Sequence, residues 1–237
     1  MKKTITLFLL IASVGCIGEK KIVIKNIKEN SENKYYSYNY SVPQLSFKNK
    51  DFSLENEKFK EMIENSKNNL KEELPEIKYL QENMNNSIKY EEKISYETYE
   101  NEFGITSILL STYYYQGGAH GLTGVSSYNY SNKSGKELTI EDIITEEGKA
   151  YIENKILESI EKDFKKSNND ETKVFYFQDS LESDAVKLKN ANVYFNGDKL
   201  IVTYPHYTLA PYSTGMPEFI FSKEEMKKYL KDLKDLT

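Results

Sequence analysis

The 237-residue sequence has no tryptophan, one cysteine, two histidines and five prolines. A lone cysteine, Cys16, excludes an internal disulfide, so packing must hold the fold. Two histidines, His120 and His206, fall short of the ligand set that a catalytic zinc takes from its protein. No GxGxxG follows a strand, and GxxxxGK[ST], HExxH, CxxC and Gly-x-Ser-x-Gly are all missing. Dinucleotide, P-loop, zincin, thiol-redox and nucleophile-elbow chemistry therefore have no signature here. A basic surplus is also missing: 32 Lys and Arg stand against 37 Asp and Glu. That balance argues against a general nucleic-acid binder, which needs a positive face. The most apolar run, Ile5 to Val14, is too short to span a bilayer as a folded helix.

What that run does form is the plan of an export signal. Lys2 and Lys3 precede it, and it ends at Gly15-Cys16. A small residue before a lone cysteine resembles the bacterial lipoprotein signal, in which the thiol receives a diacylglycerol and becomes the new N-terminus. Ser13 stands where such signals usually carry leucine. The reading is a signal peptide over 1–15, lipidation at Cys16 and a membrane-anchored, exported protein. Loss of residues 1–15, with both lysines, moves the formal charge from −5 to −7.

Residues 16–33 are polar and Lys-rich and are read as a tether, the alternative being a short edge strand at Ile22 to Ile24. "KYYSYNYSV" then reads as a strand. Phe59, Met62, Ile63, Leu70 and Leu74 recur at helical spacing, and Pro75 is expected to end that helix. Ile88, Tyr90, Ile94 and Tyr96 alternate, and "FGITSILLSTYYYQ" follows as a more buried strand, antiparallel to its neighbour. Ile152, Ile156, Ile160 and Phe164 mark a second helix. Asn196-Gly197 between two apolar runs predicts a type I′ hairpin. Ser222 and Glu225 read as the capping box of a last helix with Met226, Tyr229, Leu230 and Leu233 on its packing face. The fold class is α+β, with antiparallel sheets built from hairpins, helices on one face and two subdomains, 34–104 and 105–237.

Chemistry concentrates at "YYYQGGAHGLTG", Tyr113 to Gly124, and at "PHYTLAPYSTGMP". His120 has the right pKa class for a general base or a ligand. The neighbouring glycines, Gly117 and Gly118 among them, free the backbone for a tight turn. His120 as the base of a hydrolase is one reading; His120 as the clasp of a binding loop is the other. Tyr207 and Tyr212 beside prolines are candidates for recognition, because tyrosine offers rigid amphipathic contact area. The two segments are expected at one end of a sheet, with His120 against Tyr207 or Tyr212.

"YYYQGGAHG", "SSYNYSNKSGKELTIEDII" and "VYFNGDKLIVTYPHYTLAPYSTG" together resemble the extracellular domain of the anti-sigma-V factor. That domain is shared with many bacterial surface proteins and with some secreted peptidoglycan deacetylases. "YYSYNYSVPQLSF" is similar to the small domain that precedes it. The resemblance covers roughly Lys34 to Leu230. It implies an α+β extracellular module without catalytic residues or cofactor, and in the anti-sigma factor it implies binding of lysozyme. Here Thr208 and Leu209 replace the acidic residue that often precedes Ala-Pro-Tyr, and a lipid-anchor signal stands where the anti-sigma factor has a transmembrane helix. The expected function is a non-catalytic surface module for cell-wall material or a protein. The alternatives are an envelope hydrolase using His120 and a structural envelope protein.

Overall fold

The computed structural model describes residues 22–48, 50–83, 89–166 and 175–232. Cys16 and its leader lie outside them, as do Ile88 and Leu233. Among the described residues no helix is long and apolar enough to cross a membrane. The fold is α+β, with six strands hydrogen-bonded in chain order, β1 to β6, and three more as β7-β8-β9.

The chain divides into two compact units. The first takes residues up to Tyr96 together with Leu110–Thr123; the second takes Glu97–Leu109 and everything from Gly124. The expected boundary at 104/105 is therefore not where the contacts divide. The strand Ile105–Tyr115 (β4) gives Ile105–Leu109 to the second unit and Leu110–Tyr115 to the first, whereas Leu122–Ser131 (β5) leaves only Leu122 and Thr123 in the first.

In the first unit, Val23–Glu32 forms β1, antiparallel to Tyr36–Ser46 (β2) in an unbroken register from Val23↔Ser46 to Glu32↔Ser37. The expected tether is thus corrected over residues 23–32. Its lysines and glutamates reflect an edge strand, where charge opposes further pairing. Tyr36, Tyr38 and Tyr40 stack ring on ring along one face of β2. The first helix, α1, runs Ser53–Asn83 and buries Phe59, Ile63, Leu70 and Ile77. The seven-residue steps from Ile63 keep that stripe on one face. Pro75 lies inside α1 and does not end it. The proline removes one backbone bond, but Ile77 beyond it is fully buried and carries the packing on. Asn56 fixes the start of α1, accepting from Leu45 N at 2.7 Å and donating to Leu45 O at 2.9 Å. The strand Tyr90–Tyr99 (β3) then pairs with β2 in parallel, Tyr36↔Tyr90 to Tyr40↔Ile94. This βαβ step is a second correction, since every pair was expected to be antiparallel. A parallel neighbour needs a long crossover, which α1 supplies.

In the second unit, Glu137–Leu138 (β6) leads through the Thr139/Asp142 capping box into Ile140–Ile143 (α2), and Glu146–Lys166 forms α3. Ile152, Ile156 and Ile160 of α3 are fully buried. They pack into one core with Phe195, Leu200, Tyr204 and Leu209. The hairpin joins Asn192–Asn196 (β7) to Lys199–Thr203 (β8), with Asn196 paired to Lys199. Its two loop residues are Gly197 and Asp198, one place later than expected. Gly197 has φ 58°, whereas Asp198 is not left-handed. A type I′ turn needs both, so glycine at the first position follows the II′ pattern instead. The reason is Gly197 itself, whose N–H donates to Glu100 O and whose carbonyl accepts from Glu102 N. Glu218–Ser222 (β9) completes the small sheet, and α4 is only Lys223–Met226. Ser222 caps Glu225 N, but the Glu225 carboxylate accepts from Tyr151 Oη at 2.7 Å, so the reciprocal half of the expected box is absent.

Candidate functional site

The glycine loop belongs to the first unit. Gly117 and Gly118 have φ of 95° and 99°, a region that L side chains rarely adopt. Tyr115 Oη donates to Gly118 O at 3.0 Å, which closes the turn on its own strand. The His120 ring donates from Nδ1 to Gly121 O at 2.9 Å, because a carbonyl can only accept. Gly121 is required for a different reason. A Cβ there would lie 2.3 Å from the ring of Tyr113, so the loop is built tightly against that ring.

Below the loop, the same unit holds a cleft of about 360 Å³ whose lining includes Tyr40, Glu73, Glu92, Tyr113 and Gln116. Tyr40 is fully buried and its hydroxyl donates to Glu92 Oε2. Gln116 Nε2 donates to Glu73 Oε2 at 3.1 Å, which ties the loop's first residue to α1. Burial pushes the Glu92 carboxyl above its ordinary range; the Glu73 charge adds to this and the Tyr40 hydrogen bond opposes it. The same burial, with Glu92 beside it, pushes Tyr40 up, so its phenol stays protonated. Of these four polar partners only Gln116 lay in a segment that the sequence singled out. Glu73 sits in a Glu/Lys run that reads as a solvated helix face, and Glu92 in a strand whose apolar residues drew attention instead.

The proline segment belongs to the second unit. Leu209 and Ala210 are buried and anchor it. Leu209 O accepts from Phe177 N at 2.9 Å and from Ser180 Oγ at 2.6 Å. Tyr207 has φ 65°, the one non-glycine residue with positive φ among the described residues. Its N–H donates to Ala210 O at 3.2 Å. With the chain turned this way, its side chain is 53% exposed. A bulky residue in that region costs roughly 1–3 kcal/mol and persists only where its surroundings impose it. Tyr212 stacks on His206 with ring centroids 4.5 Å apart and stands 6.2 Å from the Tyr207 ring. The histidine grouped with these tyrosines is thus His206, while His120 and its loop belong to the other unit. Phe175 and Phe177 are 61% and 38% exposed, and Thr214 Oγ1 donates to Phe175 O at 3.0 Å. They add two rings that sequence reasoning missed. The alternating Phe-Tyr-Phe after a polar tract was the available signal.

Comparison with known proteins places these units. Residues 29–123 match the family model described as deacetylase PdaC, and residues 141–224 match a protein of unknown function, DUF3298. The first match ends where the first unit's returning segment ends, and the second lies wholly within the second unit. A search of curated proteins found no match. A DUF3298 family protein from Bacteroides fragilis superposes with a TM-score of 0.59 at 18% identity, covering 90% of this chain and 94% of that one. A second, from Pseudomonas aeruginosa, gives 0.49 at 18% identity over 90% and 95% of the two chains. The first likeness establishes a shared fold.

Proposed function

We propose that the chain is an exported lipoprotein, anchored through Cys16, whose second unit captures an extracellular protein on the aromatic patch around Tyr207. The anchor rests on the Lys2-Lys3 start, the short apolar run and the Gly15-Cys16 junction. Binding rests on one observation above the rest, Tyr207 held exposed at a backbone angle that tyrosine avoids. Strain of this kind gathers at functional sites. Tyr207, Tyr212, Phe175 and Phe177 give the rigid aromatic anchors that dominate protein interfaces. The DUF3298 match is consistent with a bacterial surface domain, and the resemblance to the anti-sigma-V extracellular domain makes lysozyme the partner to test. The protein has no hydrolytic role of its own in this reading, because the His120 ring serves the turn through Gly121 O.

The test immobilises the mature chain and measures capture of lysozyme and, separately, of solubilised cell-wall fragments. Capture of lysozyme that falls at least tenfold in Tyr207→Ala and Tyr212→Ala, with unchanged melting, is expected. Capture indifferent to both substitutions, or capture of wall fragments alone, overturns the proposal. Turnover of wall fragments that disappears in His120→Ala would install the hydrolase reading in its place.

A further inference from the structure

We propose that the cleft of the first unit binds a sugar carrying a free primary amine. At about 360 Å³ it lies in the size range of small-molecule sites and has room for a single sugar ring. Its lining is mixed. It carries the carboxylates of Glu73 and Glu92 together with uncharged hydrogen-bonding groups, Ser66 and Asn69 of α1 and Thr112 of β4. The ring of Tyr113 borders the same space and is braced against Gly121.

Each carboxylate spends one oxygen inside the protein. Glu92 Oε2 accepts from Tyr40, and Glu73 Oε2 accepts from Gln116. Neither has a cationic partner within salt-bridge distance among the described residues, although Lys93 is on the rim. Two partly buried acids thus share one cleft without a counter-ion among the described residues, and the Glu73 charge adds to the burial that raises the Glu92 carboxyl. An ammonium group would balance these charges and donate hydrogen bonds to both carboxylates. A bare divalent cation fits less well, since it asks for more oxygen ligands than two carboxylates present. An alkyl ammonium, such as a lysine side chain, would use the acids and leave the hydroxyl and amide groups idle. A sugar uses both kinds of group: its amine meets the carboxylates, its hydroxyls meet Ser66, Asn69 and Thr112, and its C–H face lies on an aromatic ring. This site is in a different unit from the aromatic patch and does not depend on it.

The probe is a glucosamine trisaccharide, with its N-acetylated counterpart and lysine amide as controls, titrated calorimetrically into the mature chain at neutral pH. The free-amine sugar is expected to bind at least tenfold more tightly than either control. Glu92→Gln and Glu73→Gln should each weaken it at least tenfold, and Asn69→Ala should weaken the sugar without changing the response to lysine amide. Glu73 is on α1 and does not share the hydrogen bond to the buried Tyr40, so its variant tests the site even where Glu92→Gln perturbs folding. Equal binding of both sugars, no binding of the free-amine sugar, lysine amide binding as tightly as the sugar, or affinity indifferent to both glutamine variants overturns the proposal.

Discussion

Ser107 of β4 donates its hydroxyl to Asn129 Oδ1 of β5 at 2.7 Å, and both side chains are buried. Each then holds the backbone of β7: Ser107 Oγ accepts from Phe195 N at 3.0 Å, and Asn129 Nδ2 donates to Val193 O at 2.8 Å. Ser127 Oγ accepts from Val193 N, and Asn192 bonds back to Ser127 N and Val125 O. Side chains thus do here what a backbone ladder does elsewhere in a sheet. Asn129→Ala orphans both the Ser107 hydroxyl and the Val193 carbonyl, so it should destabilise by about 2–3 kcal/mol. Ser107→Ala should cost about 1–2 kcal/mol, and the double variant less than the sum, because the residues share one network. Urea denaturation measures all three, and strict additivity would show that the pair is not coupled.

Two glycines of one loop should respond in opposite ways to the same change. Gly118 has a left-handed φ with open space around it, so Gly118→Ala pays only backbone strain, about 1–2 kcal/mol. Gly121 has no such φ, but its added methyl would displace the Tyr113 ring. Gly121→Ala should therefore alter the cleft more than the stability, and Tyr113→Ala should relieve it. Amide chemical shifts of residues 112–121 separate the two, with the Gly121 variant perturbing β4 and the Gly118 variant confined to the turn.

Glu92 sets a pH dependence of stability. Tyr40 from β2 and Glu73 from α1 face it, with Lys93 on the rim. Its carboxyl is raised above 4.5 in the folded chain. The stability it contributes is thus fully present below that value and is lost as pH rises through the raised one. Glu92→Gln removes the charge and keeps an acceptor for the Tyr40 hydroxyl. Its melting temperature should exceed that of the parent at pH 7 and approach it at pH 4. A gain independent of pH would mean that Glu92 is not the titrating group.

The lipid anchor has its own test. Cells fed a labelled fatty acid should mark the parent chain and leave Cys16→Ala unmarked. Equal label in both, or in neither, removes the anchor.

Local pattern carried much of this fold. The isoleucines of α3 recur with a helix's period and are all buried, and the segment Pro205 to Pro217 came to attention through its prolines and tyrosines. What escaped was set by partners distant in sequence. Pro75 stays inside α1 because Ile77 has a core to enter. The Asn196-Gly197 pair shifts its turn because Glu100 and Glu102 bond Gly197. The charged β1 is a strand only because β2 offers it ten partners. Glu73 and Glu92 are 19 positions apart in sequence, and no spacing rule unites a helix with the parallel strand that follows it. Tyr207 was legible as a ring and not as a strained residue, since its angle is imposed by the buried Leu209 and Ala210.

The chain passes between the two units in the middle of β4 and again two residues into β5, and this bears on how the molecule can be divided. A gene fragment ending at 104 strands the first unit without Leu110–Thr123, and one beginning at 124 strands the second without Glu97–Leu109. Neither half is a cassette that recombination could lift out intact. A change of length within β4 falls on a strand that both units use, so insertions are admissible at the loop tip and not along that strand.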